Sequence, residues 1–209
     1  MAANPRPSWA YLLAGGLSWP ALVVVFRLRV RGKENLPREG GYVLAANHWS
    51  NFDPWPLGLP LFPRRYLRFM AKAELFWPPL GWFITAGGAF KVRRGESDRE
   101  AVETAVQLCR DGHVVVMFPE GTRREKGLRK KYEAKWHTGA ARIALEARVP
   151  LVPAAISGTD RLSRLACLQV AYGAPLELAD LSGQPLDAVS REATERLRTA
   201  ILQLEESLA

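Results

Sequence analysis

The chain has 209 residues, of which 48% are hydrophobic and 24% are charged. This is enough for one large domain with a substantial core, and the composition excludes a disordered chain. The net charge is +8, from 29 basic and 21 acidic residues, which favours an anionic partner such as a phospholipid surface or a phosphorylated substrate. Cys109 and Cys167 have no metal-ligand spacing, so we expect reduced, structural thiols.

The N-terminal part of the chain is apolar. No charged residue occurs from Trp9 to Phe26, a segment of about 27 Å if it is helical throughout. We predict a helix to about Ser18 and a second short apolar segment from Pro20, because proline and the glycines before it interrupt a helix. Residues 1–26 are therefore predicted to be a membrane-anchoring helical segment, embedded in one leaflet. A membrane span, a core helix and a signal peptide are the alternatives.

Two strands are predicted next, and the second leads into a polar loop. Charged and apolar residues alternate over Arg27–Arg31, and Tyr42–Ala46 is a short apolar run after two glycines. Asp53-Pro54 has the form of a helix start. The residues between the second strand and this helix thus form a strand-to-helix loop, and such loops bind ligands in open α/β sheets.

His48 and Asp53 place a titratable base and a carboxylate in this one loop. An imidazole takes up a proton near neutral pH, and a carboxylate on its other nitrogen fixes the tautomer and stabilises the imidazolium that forms. The pair is therefore predicted to be catalytic. Each residue alone has a plainer interpretation, since Asp53 fits a helix N-cap and a lone histidine is more often structural.

Aromatic and proline residues are concentrated in residues 55–62 and 76–83, which include Trp77 and Trp82. They are consistent with a tunnel for an apolar ligand or with a position at a lipid interface, where amphipathic rings are favourable. Plain core packing is the alternative, because bulky apolar residues more often fill interiors.

Strand and helix patterns continue to alternate, which predicts an α/β fold with a single mixed sheet flanked by helices. A capping box at Ser97-Asp98-Arg99-Glu100 begins an amphipathic helix that ends at Asp111-Gly112. The remaining predicted elements are a helix over 140–147, a strand over 168–172, and a C-terminal helix on which Glu192 and Arg196 pair.

Val114–Phe118 is another apolar strand that ends in a polar loop. Arg123 carries a planar set of donors that suits a phosphate, and Glu120 can accept hydrogen bonds from substrate hydroxyls. Gly121 allows backbone conformations closed to other residues. Together with Thr122, these residues are predicted to bind substrate. An ordinary loop with a surface ion pair is the plainer alternative.

A basic segment begins in this loop. Residues 123–135 hold seven Lys or Arg and two Glu, a net charge of +5. Such a segment suits a solvated loop, a nucleic acid or anionic phospholipid. The apolar N-terminus favours lipid, so we expect a phospholipid membrane as partner and no nucleic acid.

The spacing of His48 and Asp53 (His-x4-Asp), the sequence Phe-Pro-Glu-Gly-Thr-Arg at 118–123 and their order resemble the glycerolipid acyltransferase family, specifically bacterial 1-acylglycerol-3-phosphate acyltransferases. Two further blocks agree. Residues 88–95 are similar to the second block, in which an arginine helps bind the acceptor phosphate, and Val149–Pro153 is similar to the fourth. The resemblance covers about residues 25 to 175, and the chain departs from it at His137, where many relatives have lysine.

The resemblance implies that residues 27–209 form an acyltransferase domain. It would move a fatty acyl group from acyl-CoA or acyl carrier protein to the free hydroxyl of lysophosphatidic acid, giving phosphatidic acid in phospholipid biosynthesis. It assigns catalysis to His48 and Asp53 and phosphate binding to Arg94 and Arg123, with Arg93 as the alternative to Arg94. No metal and no cofactor beyond the thioester co-substrate are expected. We expect a monotopic or peripheral protein on the cytoplasmic face of the cell membrane.

Signatures of competing enzyme classes are missing from the sequence. It has no Gly-x-Ser-x-Gly elbow, no His-Glu-x-x-His helix, no P-loop and no dinucleotide-binding glycine motif, which disfavours a serine hydrolase or a metalloenzyme. Two alternatives stay open. The first is an acyltransferase whose acceptor is glycerol-3-phosphate, another lysophospholipid or a glycolipid. The second is a non-catalytic, basic membrane-binding module.

Overall fold

The described part of the chain, residues 5–92, 98–124, 136–181 and 183–209 of the computed structural model, forms a seven-stranded sheet. The strands are β1 (Arg29–Arg31), β2 (Tyr42–Ala46), β3 (Leu67–Lys72), β4 (Ala89–Val92), β5 (Val114–Met117), β6 (Leu151–Ser157) and β7 (Gln169–Tyr172). Their order is β1-β7-β6-β2-β5-β3-β4, and neighbouring strands are parallel except for β6 and β7. The predicted α/β fold with a single mixed sheet is confirmed.

Helices flank this sheet. They are α1 (Trp9–Pro20), α2 (Pro54–Gly58), α3 (Leu80–Ala86), α4 (Asp98–Arg110), α5 (Gly139–Ala147) and α6 (Leu186–Ser207). The helix α5 packs against both α4 and α6, and α6 also contacts β6. The predicted helix over 140–147 and the C-terminal helix are confirmed, as is the pair between Glu192 and Arg196. The capping box falls partly outside the described residues, because it begins at Ser97.

The core lies on both faces of β2, whose five residues are all buried. Val43 joins Leu197 of α6 in one apolar cluster, and Leu44 joins Leu57 of α2 in another on the opposite face. Burial of such a leucine contributes roughly 1.5–3 kcal/mol to folding. A strand that is packed on both faces cannot slip in register without exposing its apolar side chains, so β2 holds the loop that follows it in a defined place.

The N-terminal segment packs on the domain. Pro20 keeps helical dihedral angles, and Ala21–Val25 continue as a wider helical turn in which the amide of Phe26 donates to the carbonyl of Ala21 (3.0 Å). The predicted interruption at Pro20 is therefore a change of helix type, because proline removes one donor but its φ angle still suits a helix. Leu22 is only 1% exposed and packs against Leu59. None of the described helices combines the length and the hydropathy that crossing a membrane requires.

The parallel strands β2 and β5 end at the same edge of the sheet. Ala45 of β2 lies beside Met117 of β5. The loop that carries His48 and the loop that carries Glu120 therefore begin next to each other, at the edge where open α/β sheets bind ligands.

Candidate active site

His48 and Asp53 contact each other directly in the loop between β2 and α2. Nδ1 of His48 lies 2.7 Å from Oδ2 of Asp53. The same Oδ2 accepts hydrogen bonds from the backbone amides of Trp49 (2.7 Å) and Ser50 (2.9 Å). Asp53 is fully buried, whereas the His48 side chain is 16% exposed. Because Nδ1 is bound to the carboxylate, Nε2 is the ring nitrogen that can accept a proton from a substrate.

Asp53 occupies the N-cap position of α2 and Pro54 is the first helical residue, so the predicted helix start is confirmed. In the described part of the chain, which includes the whole first turn of α2, the Asp53 side chain makes no capping hydrogen bond. A capping role for this side chain is therefore wrong. The carboxylate turns back into its own loop, where the imidazole and two amides share one oxygen. Hydrogen bonds to an ionised group are shorter and stronger than neutral ones, so this carboxylate fixes the backbone and the ring together.

Phe118, which follows β5, packs flat against the imidazole of His48. The two ring centroids are 4.0 Å apart and the ring planes differ by 15°. Asp53 restrains the edge of the imidazole and Phe118 restrains its face. The ring orientation is thus set by two loops that meet only because β2 and β5 are neighbours.

Glu120 lies in contact with Arg124 and is 3% exposed. Its Oε2 accepts from Nε of Arg124 (2.9 Å) and its Oε1 from Nη2 (2.6 Å). Arg124 also donates to both oxygens of Glu205 in α6, at 2.6 Å and 3.0 Å. The sequence predicts Glu120 as an acceptor for substrate hydroxyls; in the structure each of its oxygens already has a protein donor.

Burial and ion pairing act in opposite directions in this cluster. Burial raises the pKa of Glu120 above its ordinary value, and the hydrogen bonds from Arg124 oppose that shift. Burial lowers the pKa of Arg124, but its hydrogen bonds to Glu120 and Glu205 outweigh this and raise the pKa above the usual value. Arg124 therefore stays charged between two carboxylates.

Gly121 occupies a position that other residues cannot take without strain. Its φ angle is +69°, and a Cβ atom there would lie 2.7 Å from the ring of His137. The amide of His137 donates to the carbonyl of Pro119 (2.8 Å), which closes the loop over the end of β5. This contact gives His137 a packing role beside the site.

Of the two arginines predicted to bind the phosphate, only Arg123 lies among the residues that the structure describes. Thr122 and Arg123 lie on the exposed part of the loop after β5. A guanidinium in that position is accessible to an anion from solvent, to which it offers paired donors. Arg94, Arg93 and most of the basic segment 123–135 lie outside the described residues.

Three further residues belong to the site, although the sequence-based prediction assigns them no role. Asn47, Arg124 and Glu205 are joined by hydrogen bonds beside the His48 loop. The spacing of four between Glu120 and Arg124 is a signal for a side-chain pair. Glu205 has no such signal, because it is 81 residues from Arg124. Among the described residues, no cluster of three or more His, Cys, Asp or Glu side chains is placed to hold a metal ion.

The two aromatic stretches, residues 55–62 and 76–83, lie in different environments. From the first, Trp55 and Phe62 line an apolar pocket beside α1 and α2, together with Leu59 and Leu67. From the second, Trp77 and Trp82 are 57% and 73% exposed. The core-packing interpretation is therefore wrong for these two tryptophans, and large exposed aromatic side chains are typical of a surface that contacts a partner or lipid.

The fold and the site together define a class. An imidazole held by a buried carboxylate, at the carboxyl edge of a mostly parallel sheet, is the arrangement of an enzyme that uses histidine as a general base. The model of the acyltransferase family matches residues 27–157, more than half of the chain. The chain belongs to the acyltransferase family.

Individual relatives agree with this family. The chain is 34% identical, over 90% of its length, to the 1-acyl-sn-glycerol-3-phosphate acyltransferase of Bacillus subtilis, of which it covers 95%. It is 27% identical, over 81% of its length, to the enzyme of the same description from Streptococcus pneumoniae, of which it covers 62%. The crystal structure of the 1-acyl-sn-glycerophosphate acyltransferase PlsC from Thermotoga maritima superposes with a TM-score of 0.65, at 24% identity, over 93% of this chain and 78% of that one. This last likeness shows the shared fold.

Proposed function

We propose that this protein transfers a fatty acyl group from a thioester to the free hydroxyl of lysophosphatidic acid, giving phosphatidic acid. The contact of 2.7 Å between His48 and the buried Asp53 carries the proposal, because it supplies a general base in a chain of the acyltransferase family. The substrate follows from the relative that matches nearly the whole chain, which is described as a 1-acyl-sn-glycerol-3-phosphate acyltransferase. A membrane-binding module without catalysis leaves this buried pair unexplained.

The reaction needs one proton transfer and one displacement. Nε2 of His48 takes the proton from the acceptor hydroxyl, and the oxygen attacks the thioester carbonyl. Asp53 stabilises the imidazolium while the tetrahedral intermediate forms; the intermediate then collapses, and the thiolate leaves and takes up the proton. No acyl-enzyme is required. General-base catalysis of this kind typically contributes about 10²- to 10⁴-fold, so orientation of the two substrates must supply much of the remaining rate enhancement.

Arg123 and Arg94 are proposed to bind the acceptor phosphate. Arg123 is exposed on the loop after β5, next to the loop of His48, and its planar donors match a phosphate. Glycerol-3-phosphate carries the same group, and other lysophospholipids and glycolipids carry the same hydroxyl. A competition assay that offers these acceptors together, with acyl-CoA or acyl carrier protein as donor, ranks them directly.

The protein is proposed to act at the cytoplasmic face of the membrane, as a monotopic or peripheral protein. Its substrate is a lipid, and α1 and α3, which contact each other, carry exposed apolar side chains. These are Trp9, Leu12, Leu13, Leu17 and Trp19 on α1 and Trp82 and Phe83 on α3. Aromatic and aliphatic side chains on such a surface suit insertion into the headgroup region of one leaflet.

One assay tests the reaction. Purified protein is given a long-chain acyl-CoA and lysophosphatidic acid, and released thiol and phosphatidic acid are measured. We expect turnover with the wild-type protein and its loss in His48→Ala, with vesicle binding unchanged. Absence of thiol release from the wild-type protein with every acceptor and donor would refute the proposed activity.

A second assay tests the membrane surface. Trp82→Asp is expected to reduce co-sedimentation with phospholipid vesicles, because it puts a charge into the apolar surface of α1 and α3. Leu202→Asp is the matched control, since Leu202 is also exposed but lies on α6. Equal sedimentation of both variants with the wild-type protein would contradict the assignment of this surface.

A further inference from the structure

The backbone of His48 is bound to the loop after β5. Its carbonyl accepts from the amide of Arg124 (2.9 Å), and its amide interacts with the Glu120 carboxylate, where it lowers the pKa of that group. Because Glu120 and Arg124 are also bonded to each other through two hydrogen bonds, they form a clamp around one peptide segment. The clamp acts on the backbone from which the imidazole extends.

A single carboxylate from the far end of the chain completes this clamp. Glu205, in the last turns of α6, accepts from Nη1 and Nη2 of Arg124 at 2.6 Å and 3.0 Å. Its Oε1 also accepts from the side-chain amide of Asn47, directly before His48, at 2.7 Å. Glu205 is 17% exposed, so water weakens these bonds far less than it weakens bonds at the open surface.

Asn47 in turn joins β2 to β6. Its Nδ2 donates to the carbonyl of Ile156 (2.9 Å), and its Oδ1 accepts from the amide of the same residue (2.8 Å). The Glu205 carboxylate therefore connects three chain segments that surround His48: the end of β2, the end of β6 and the loop after β5. Arg124 is further restrained by the ring of Trp49, which lies 4.9 Å from its guanidinium carbon.

We propose that Glu205 is a positioning residue for the reaction of His48, which it aligns through Arg124 and Asn47. This inference rests on the proposed acyl transfer. It adds that the C-terminal helix α6 helps to set the orientation of the general base, His48. Glu205 touches neither His48 nor Asp53 in any hydrogen bond that the structure describes, so its effect on catalysis is indirect. Small errors in the placement of a reacting group lower the rate of the chemical step while substrate binding is preserved.

The chain offers a matched control on the same helix. Arg196 of α6 pairs with Asp180 through two hydrogen bonds of 2.8 Å and 2.6 Å, and so also anchors α6. Arg196 lies nine residues before Glu205, about 13 Å along the helix axis. Asp180→Asn thus removes an ion pair from α6 without touching the clamp, and it separates a loss of helix anchoring from a loss of alignment.

The experiment compares Glu205→Gln with Asp180→Asn. We expect Glu205→Gln to lower kcat about tenfold, with the KM of each substrate within about twofold of the wild-type value, and Asp180→Asn to leave kcat unchanged. Hydrogen exchange provides a readout that does not need turnover. Peptides covering residues 47–50 should exchange faster in Glu205→Gln and at the wild-type rate in Asp180→Asn.

A double-variant cycle tests the route of the effect. Because Arg124 is one of the two residues through which Glu205 acts, we expect Glu205→Gln to lower kcat by a smaller factor in an Arg124→Gln background than in the wild-type protein. An unchanged kcat in Glu205→Gln, an equal loss in both backgrounds, or a change in KM alone would each overturn the inference. Failure of the wild-type protein to release thiol would overturn the proposed function instead, and the exchange rates would still show whether the clamp exists.

Discussion

Replacement of Asp53 by asparagine removes the negative charge beside His48 and preserves the shape of the side chain. Oδ2 of Asp53 accepts from the amides of Trp49 and Ser50 and contacts Nδ1 of His48. An asparagine can keep these three contacts only with its oxygen at the same place. Its NH2 group then takes the position of Oδ1, which is buried and has no hydrogen-bond partner among the described residues. Asp53→Asn therefore keeps the imidazole tautomer but takes away the negative charge that stabilises the imidazolium.

The size of the effect follows from this one bond. A hydrogen bond to a charged group contributes about 1.5–3 kcal/mol, and about 1.4 kcal/mol corresponds to a factor of ten in rate. We therefore expect kcat to fall about 10- to 150-fold. Where an asparagine imposes the wrong histidine tautomer, the loss reaches about 10⁴-fold. The amides of Trp49 and Ser50 prevent that outcome here, because they need an oxygen opposite them.

The assay is release of thiol from a long-chain acyl-CoA at saturating lysophosphatidic acid, with single-turnover measurements to isolate the chemical step. The acceptor KM should stay within about twofold, since Asp53 is buried and does not reach a substrate. Asp111→Asn, at an exposed carboxylate just before β5, is the control. Unfolding is measured in parallel, because the buried NH2 group is expected to cost about 1–3 kcal/mol of stability. A folded Asp53→Asn protein with wild-type kcat would refute a catalytic role, and a loss near 10⁴-fold would refute the argument on the tautomer.

Three other predictions concern the substrate, the pH and the N-terminal segment. Arg123→Gln should raise the acceptor KM about tenfold and leave the donor KM nearly unchanged, because it removes donors to the phosphate; equal increases would contradict the assignment. The pKa of Glu120 is raised in the folded protein, so the folded state holds this proton to a higher pH than the unfolded chain does. We therefore measure the free energy of unfolding in urea for the wild-type protein and for Glu120→Gln. The wild-type value minus the variant value should fall as the pH rises from the ordinary carboxyl range through the pKa of Glu120 in the folded protein. A difference that rises or stays constant would refute the shift. Leu22→Ala should lower the free energy of unfolding by about 2–5 kcal/mol, because Leu22 is almost fully buried; a loss below about 1 kcal/mol would show that this segment is not part of the folded domain.

Elements with a strong local pattern could be predicted, and those without one could not. β2 and β5 are uninterrupted apolar runs, and α6 has an apolar stripe with helical spacing, so their positions follow from the residues. β3 contains Arg68 and Lys72 among its apolar residues, which hides the strand in the sequence. It forms because β5 and β4 bond to it on either side, a pairing that depends on residues far along the chain.

The N-terminal segment shows the same limit. Its lack of charge could be read directly, and so could the change in the helix near Pro20. Its packing on the domain could not, because the burial of Leu22 requires Leu59, which comes from a different part of the chain. Apolar residues alone do not show whether they face protein or lipid, since both environments exclude water.

The sequence alone was enough to predict the pairing of His48 with Asp53, because both belong to one short loop whose spacing brings an imidazole and a carboxylate together. It also determined the family, since the motifs are contiguous stretches. Only the tertiary structure decided how that pair is held. The Arg124 guanidinium meets Glu205 across 81 residues of chain, and a contact of that kind exists only after the sheet and α6 have packed.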